Sequence, residues 1–150
     1  MPSLFRSGRR FFFGVLLAVL ALPLLSSGGS AADAPKEIAG VTTLDANGVI
    51  ALIEKQPTLV ILDNRREGDF KDGHIEGAIR LIDDDMTGPE VLAKYVPAKT
   101  TPVLFYCNGP KCGRAANAAR LAIQWGYGAV SYYYGGMEDW KGLGLPLTKS

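Results

Sequence analysis

The sequence predicts an α/β fold in which a mainly parallel, five-stranded sheet carries helices on both faces. Short runs rich in β-branched residues and leucine alternate with helix-forming stretches along the chain. Such continuous apolar runs are typical of strands that are buried on both faces. Strands that alternate with helices form a mainly parallel sheet covered by those helices. With 150 residues, of which 47% are hydrophobic, the chain is expected to form one such domain.

Five apolar runs are predicted to be the strands of this sheet. Gly126 and Gly128 are chain breakers that precede the last of them. The predicted strands are Val41–Leu44, Thr58–Leu62, Ala78–Ile82, Val103–Tyr106 and Ala129–Tyr134.

Three helices are predicted between the strands. Thr43 or Asp45 can cap a first helix that runs to about Lys55 and is ended by Pro57. A second is expected over Pro89–Tyr95. The third, Arg114–Trp125, is rich in alanine, arginine, leucine and glutamine, which favour helix.

The amino terminus is predicted to be a cleavable export signal. A basic stretch ending at Arg10 is followed by the apolar run 11–25 and by small residues up to Ala32. Because a membrane span needs ~20 apolar residues, this run is expected to be cleaved, near Ala31 or Ala32, rather than to anchor the protein. General secretion and twin-arginine export both fit. We therefore expect a signal at 1–32, a linker at 33–39 and a domain at 40–150, exported without a stable membrane anchor and periplasmic in a Gram-negative source.

Charge argues against a nucleic-acid partner. The chain has 16 basic and 15 acidic residues, and three of the basic ones lie in the expected signal. The remaining 13 basic and 15 acidic residues give a net charge of about −2. A nearly neutral body offers no basic stripe for a phosphate backbone.

The segment Val103–Arg114 carries the strongest chemical signal. It runs from a predicted strand through a loop with glycine and proline into a predicted helix, and Cys107 stands where the strand ends. Ligands of open parallel sheets bind just beyond the carboxyl ends of strands. The free N–H groups and dipole of the following helix, together with Lys111 and Arg114, favour a thiolate. Cys107 is therefore predicted to be a nucleophile that acts on an anionic substrate.

Three ordered motifs resemble those of the rhodanese-like sulfurtransferases, over nearly the whole chain after the signal. They are Asp63-Asn64-Arg65 with Asp69-Phe70 and Gly73-His74-Ile75-Glu76-Gly77-Ala78, then Cys107 with Arg114, then Gly135-Gly136 with Trp140 and Gly144-Leu145-Pro146. The resemblance implies a rhodanese-like fold.

It also implies a double-displacement reaction that requires no cofactor and no metal ion. Cys107 attacks the sulfane sulfur of a small anionic donor such as thiosulfate, and the resulting persulfide passes its sulfur to cyanide or to a thiol, including one on a partner protein. Loop amides stabilise the charged sulfur, and Arg114 with Lys111 orients the donor's oxygens. The implied substrate-binding residues are Asn108, Gly109, Lys111, Cys112, Gly113 and Arg114.

The loop departs from the family pattern in two ways. Cys107 through Arg114 spans eight positions, more than is usual in sulfurtransferases or in the related phosphatases and arsenate reductases, so those two activities stay open as alternatives. Cys112 lies inside the loop. It can form a structural disulfide with Cys107, as exported proteins often do, or a reversible one that resolves or protects a Cys107 persulfide. A persulfide or disulfide carrier for a partner protein is the alternative outside enzymes.

Other polar residues are expected to be structural. His74, the only histidine, is expected to form hydrogen bonds in the turn before the third strand. Asp63, Arg65 and Asp69 are expected to form ion pairs around the site, since persulfide transfer needs no acid or base. Three adjacent carboxylates at 83–85 are expected to form a solvated turn rather than a cation site.

The last strand and the turn after it are expected to pack tightly. Neighbours in the run Tyr132–Tyr134 must point to opposite faces of a strand. Gly135 and Gly136 allow the backbone to approach the Cys107 loop closely.

Overall fold

The predicted α/β fold is confirmed in the computed structural model, which describes residues 33–150. The expected export signal, residues 1–32, lies outside the described residues. The strands are Thr42–Leu44 (β1), Val60–Asp63 (β2), Ile79–Arg80 (β3), Val103–Tyr106 (β4) and Val130–Tyr133 (β5). The helices are Ala46–Lys55 (α1), Glu67–Asp72 (α2), Pro89–Ala93 (α3), Arg114–Gln124 (α4) and Gly136–Gly142 (α5), and a 3₁₀ turn covers Asp83–Asp85.

The five strands form one sheet in the order β1-β5-β4-β2-β3, and every pairing is parallel. β4 lies at the centre, where Tyr106 is in register with Asp63 of β2 and with Tyr133 of β5. The carboxyl ends of the three strands therefore meet at one edge. The loop that begins at Cys107 leaves the sheet from the middle of that edge.

Side chains on β4 alternate between two apolar layers, one on each face of the sheet. Val103 and Phe105 pack in the layer that contains α4, whereas Leu104 and Tyr106 pack in the layer that contains residues of α1 and α5. All four residues are buried completely, which is why the strand reads as a continuous apolar run. The α4 face is built from fully buried alanines, whose small side chains fit closely against the sheet: Ala115, Ala116, Ala118, Ala119 and Ala122.

Local signals explain the two longest helices. Asp45 caps α1 by accepting a hydrogen bond of 2.8 Å from the backbone N–H of Gly48. The alternative cap, Thr43, instead donates its hydroxyl to the carbonyl oxygen of Lys36. α4 begins at the predicted Arg114 and ends one residue before the predicted end.

The strands β2 and β3 differ most from the prediction, whereas β1 lacks only Val41 and β5 lacks only Ala129 and Tyr134. β2 is Val60–Asp63 rather than Thr58–Leu62, because Asp63 is buried with a charged partner and continues the strand. β3 contains only Ile79 and Arg80 of the predicted Ala78–Ile82. It is an edge strand with Ile79 40% exposed, and the chain leaves the sheet after Arg80.

Segment 33–39, which the sequence predicts to be a linker, packs against the domain. Ile38 is buried in the apolar layer beside α4, and the backbone N–H of Ala34 donates to the carbonyl oxygen of Pro110 at 2.7 Å. This segment therefore contacts the loop that follows Cys107.

Candidate functional site

The sulfurs of Cys107 and Cys112 are joined in a disulfide bond, with their Cα atoms 6.1 Å apart. Cys107 is only 1% exposed, whereas Cys112 is half-buried. The disulfide that the sequence allows between these two residues is therefore formed in this structure. Cys107 has no free thiol in this state and must be reduced before it can act as a nucleophile.

The loop is fixed by the start of α5, an element that sequence reasoning missed. The backbone N–H of Met137 donates to the carbonyl oxygen of Cys107 at 3.0 Å, and that of Glu138 donates to the carbonyl oxygen of Asn108 at 2.7 Å. Gly136 has φ +58°, and a Cβ there would collide with the carbonyl oxygen of Cys107 and lie 2.8 Å from the amide nitrogen of Gly109. The expected close approach of this turn to the Cys107 loop is confirmed.

A buried ion pair lies at the carboxyl end of β2, beside Tyr106, the residue before Cys107. The Nη2 atom of Arg65 lies 2.6 Å from Oδ2 of Asp63, and the hydroxyl of Tyr106 donates to the same oxygen at 2.6 Å. Burial lowers the pKa of Arg65, but the hydrogen bond and charge of Asp63 outweigh it and leave the pKa above its ordinary value. For Tyr106, burial and the neighbouring Asp63 both raise the hydroxyl pKa.

This network ties the Asp63-Asn64-Arg65 motif to the Gly73–Ala78 motif. Arg65 Nη2 donates to the carbonyl oxygen of Gly73 at 2.8 Å, and the N–H of Ile75 donates to the Tyr106 hydroxyl at 3.2 Å. The pairing of Asp63 with Arg65 is as expected. Asp69 instead accepts a hydrogen bond of 3.3 Å from the side-chain amide of Asn108 in the loop.

The predicted donor-binding residues line one small cavity of about 330 Å³. Its walls contain all six of them, together with Glu138: Asn108, Gly109, Lys111, Cys112, Gly113 and Arg114. Cys107 is not among these walls, since it is only 1% exposed. Sequence reasoning missed Glu138. Its placement depends on α5, for which the sequence carries no clear signal.

Both cations of the cavity already have carboxylate partners. Lys111 forms an exposed ion pair with Asp33, whose hydrogen bond and charge raise the pKa of Lys111 above its ordinary value. Arg114 Nε lies 3.6 Å from Oδ1 of Asp83, and the Asp83 side chain is only 10% exposed. Asp33, Asp83 and Glu138 each bring a negative charge close to the loop. The net charge around the cavity is therefore less positive than Lys111 and Arg114 alone suggest.

Two residues that were expected to be structural now have defined partners. Nδ1–H of His74 donates to the carbonyl oxygen of Phe70 at 2.9 Å, and the two rings stack, so His74 holds the turn before β3. Asp83 differs from the expected solvated turn, because it faces Arg114 and accepts a hydrogen bond of 3.1 Å from Asn117. Its neighbours Asp84 and Asp85 are exposed.

Across residues 33–150, no helix is long and apolar enough to cross a bilayer. The same part of the chain contains no group of three or more histidine, cysteine, aspartate or glutamate side chains placed to hold a metal ion.

Comparison with known proteins identifies the kind of domain. The family model described as rhodanese-like domain matches residues 45–143. Among curated proteins, YibN of Escherichia coli K12, described as uncharacterized, is 34% identical over 101 residues. The match covers 65% of this chain and 66% of YibN, just under two thirds of that relative's length.

Solved structures share the fold. The rhodanese-like domain of Alr3790 from Anabaena has a TM-score of 0.59 and 27% identity, over 72% of this chain and 79% of that one. A polysulfide-sulfur transferase from Wolinella succinogenes has a TM-score of 0.59 and 22% identity, over 75% of this chain and 81% of that one. At the latter identity the likeness concerns the fold alone.

Proposed function

Because the chain belongs to the rhodanese-like domain family, we propose that it is a sulfurtransferase in which Cys107 carries the transferred sulfur. The position of Cys107 is the observation that carries this proposal. It follows the central strand β4 and starts a loop that leads directly into α4. One fold can host many activities, so the proposal rests on this cysteine and its loop rather than on the shared fold.

The reaction begins when an external dithiol reduces the Cys107–Cys112 bond to two thiols and is itself oxidised to a disulfide. The Cys107 thiolate then attacks the outer sulfur of a donor such as thiosulfate; a new sulfur–sulfur bond forms, the donor's own bond breaks, and sulfite leaves with the electron pair. In the second half, cyanide or a thiolate attacks the outer sulfur of the persulfide and Cys107 is regenerated as a thiolate. These steps need no cofactor.

The cavity supports a small anionic donor. Its volume of about 330 Å³ lies at the lower end of the range for small-molecule sites. Lys111 is fully exposed at the loop, and its ion pair with Asp33 is of the weak, solvent-screened kind. An incoming oxyanion can therefore displace Asp33 and pair with Lys111. Arg114, at the start of α4, supplies the second positive charge.

The proposed location is outside the cytoplasm, after removal of residues 1–32. A disulfide persists in oxidising compartments and is rare in the cytosol, so the Cys107–Cys112 bond supports this location. In a Gram-negative source the compartment is the periplasm. The experiment is to fuse residues 1–32 to a reporter that is active only after export; retention of the fusion in the cytoplasm argues against the signal.

The disulfide also favours a second candidate function, a redox or sulfur carrier for a partner protein. In that case Cys107 holds a persulfide or a disulfide, and the protein has no turnover of its own. Release of thiocyanate through many cycles distinguishes the enzyme from the carrier, which stops after one sulfur atom per chain.

The test uses the mature domain after reduction and removal of the reductant. Addition of thiosulfate is expected to add one sulfur atom to the wild-type protein or release it in a product, and Cys107→Ser is expected to gain none by intact mass. A Cys107→Ser variant that still gains sulfur overturns the assignment of the nucleophile. Hydrolysis of an aryl phosphate at a rate comparable to thiocyanate formation supports a phosphatase instead.

A further inference from the structure

The loop contains two thiols in bonding contact, and sulfur transfer from Cys107 uses only one of them. We propose that Cys112 resolves the Cys107 persulfide and releases its outer sulfur as hydrosulfide. The protein then has a second activity, the reduction of sulfane sulfur at the expense of a dithiol. This inference rests on the proposed function, because it requires a persulfide on Cys107.

The geometry supports this step because the fold already brings the two Sγ atoms together. The Cα atoms are 6.1 Å apart, within the range of ~4.4–6.8 Å that a disulfide bond tolerates. The inner sulfur of a persulfide is Cys107 Sγ itself, so the atom that Cys112 must attack is the atom to which it is bonded in this structure. Intramolecular attack from a prepared position is strongly favoured over attack by a dissolved thiol.

Burial gives the two sulfurs different roles. In the disulfide-bonded state Cys107 is 1% exposed, so a dissolved thiol reaches its sulfur poorly, whereas Cys112 lies in the wall of the open cavity. Cys112 is therefore the first sulfur that an outside thiol meets. It is the site where a dithiol attacks the disulfide and regenerates the reduced loop.

Atoms and electrons balance over the cycle. The Cys112 thiolate forms a bond to Cys107 Sγ, the bond between Cys107 Sγ and the outer sulfur breaks, and hydrosulfide leaves with the electron pair. The two cysteine thiols are oxidised to the disulfide by two electrons, and the sulfane sulfur is reduced by two. With thiosulfate as donor, one thiosulfate and two thiols give one sulfite, one sulfide and one disulfide. An external dithiol supplies the electrons for the next cycle.

The test is a single turnover without external thiol. Reduced wild-type protein, freed of reductant under anaerobic conditions, is mixed with thiosulfate, and sulfide and intact mass are followed. We expect one sulfide per chain and a protein that ends as the disulfide, lighter than the reduced form by two hydrogen atoms. Cys112→Ser is expected to retain one added sulfur and to release no sulfide until a thiol is added. Cys112→Ala is the second variant, and far-ultraviolet circular dichroism checks that both fold.

The outcomes separate this inference from the proposed function. If wild-type protein keeps a stable persulfide, yields no sulfide and still forms thiocyanate with cyanide, the inference is overturned and the sulfurtransferase stands. If Cys112→Ser and Cys112→Ala release sulfide as fast as wild type, Cys112 is not the resolving thiol and the inference is again overturned. If reduced wild-type protein gains no sulfur and forms neither sulfide nor thiocyanate, the persulfide on Cys107 is absent and both proposals fail.

Discussion

Replacing Gly136 with alanine is expected to displace the Cys107 loop. The added Cβ would overlap the carbonyl oxygen of Cys107 and lie 2.8 Å from the Gly109 nitrogen and 2.9 Å from the Asn108 carbonyl carbon. All three atoms belong to the backbone, so no side-chain rotation relieves the collision. The backbone at Gly136 also has φ +58°, a left-handed conformation that alanine disfavours.

The size of the effect follows from these two terms. A left-handed conformation disfavours a residue with a Cβ by about 1–2 kcal/mol. Forcing one extra carbon into a packed site adds roughly 1–3 kcal/mol. Together they lower the free energy of unfolding by about 2–5 kcal/mol. The described domain has an unfolding entropy of roughly 0.25 kcal/mol/K, so its melting temperature is expected to fall by about 8–20 °C.

Thermal unfolding and thiocyanate formation measure the two consequences. Gly142→Ala is the matched control, since Gly142 is in the same helix, has no positive φ, and a Cβ there would have no atom within 4 Å. We expect the control to leave the melting temperature nearly unchanged, and Gly136→Ala to lose both stability and sulfur transfer. If Gly136→Ala melts within about 2 °C of wild type, the collision is absent and the argument for α5 as the support of the loop is wrong.

Two further predictions concern the disulfide and Tyr106. Reduction of the Cys107–Cys112 bond, which closes a short loop, is expected to lower the free energy of unfolding by about 2 kcal/mol and the melting temperature by about 8 °C. Tyr106→Phe is expected to flatten the alkaline loss of stability. Burial and Asp63 raise the pKa of Tyr106 in the folded protein above its value of about 10 in the unfolded chain. The contribution of Tyr106 to the free energy of unfolding is therefore complete below about pH 10, and it is lost as the pH rises toward the pKa of the folded protein.

Each of these predictions has its own control. The double variant Cys107→Ser with Cys112→Ser must show no response to reductant, and equal melting of oxidised and reduced wild type contradicts the loop-entropy argument. For Tyr106, the measurement is the difference between the wild-type and variant urea-unfolding curves from pH 8 to 11. Burial raises the pKa of Tyr132 to about 12, but Tyr132 is present in both proteins. Its effect on stability therefore cancels in the difference between the two curves. Parallel curves above pH 10 contradict the assignment to Tyr106.

Local signals in the sequence predicted the elements that carry the site. β4 has the predicted bounds, because a strand buried on both faces is a continuous apolar run. α4 begins at the predicted Arg114, because its alanine-rich sequence favours helix throughout. Cys107 lies between them, so its place at the sheet edge could be derived before any contact was known.

Tertiary contacts determine what the sequence did not predict. α5 begins at the second of two successive glycines, which disfavour helix. It forms where the N–H groups of Met137 and Glu138 bind the carbonyl oxygens of Cys107 and Asn108. Asp63 extends β2 only because Arg65 and Tyr106 satisfy its buried carboxylate. Helices as short as α2 and α5 contain too few residues for apolar periodicity to identify them.

Their ion pairs distinguish the two cations of the cavity. Lys111 and Arg114 were predicted to attract the donor, but their partners Asp33 and Asp83 lie far away in the sequence and could not be foreseen. The pair Lys111–Asp33 is mostly exposed, so solvent and salt weaken it and a donor can displace Asp33. Asp83 is mostly buried, so solvent screens its pairing with Arg114 less, and Oδ1 of Asp83 lies 3.6 Å from Nε of Arg114 without a hydrogen bond. In the proposed reaction we therefore expect Lys111 to move with the donor and Arg114 to keep its position at the start of α4.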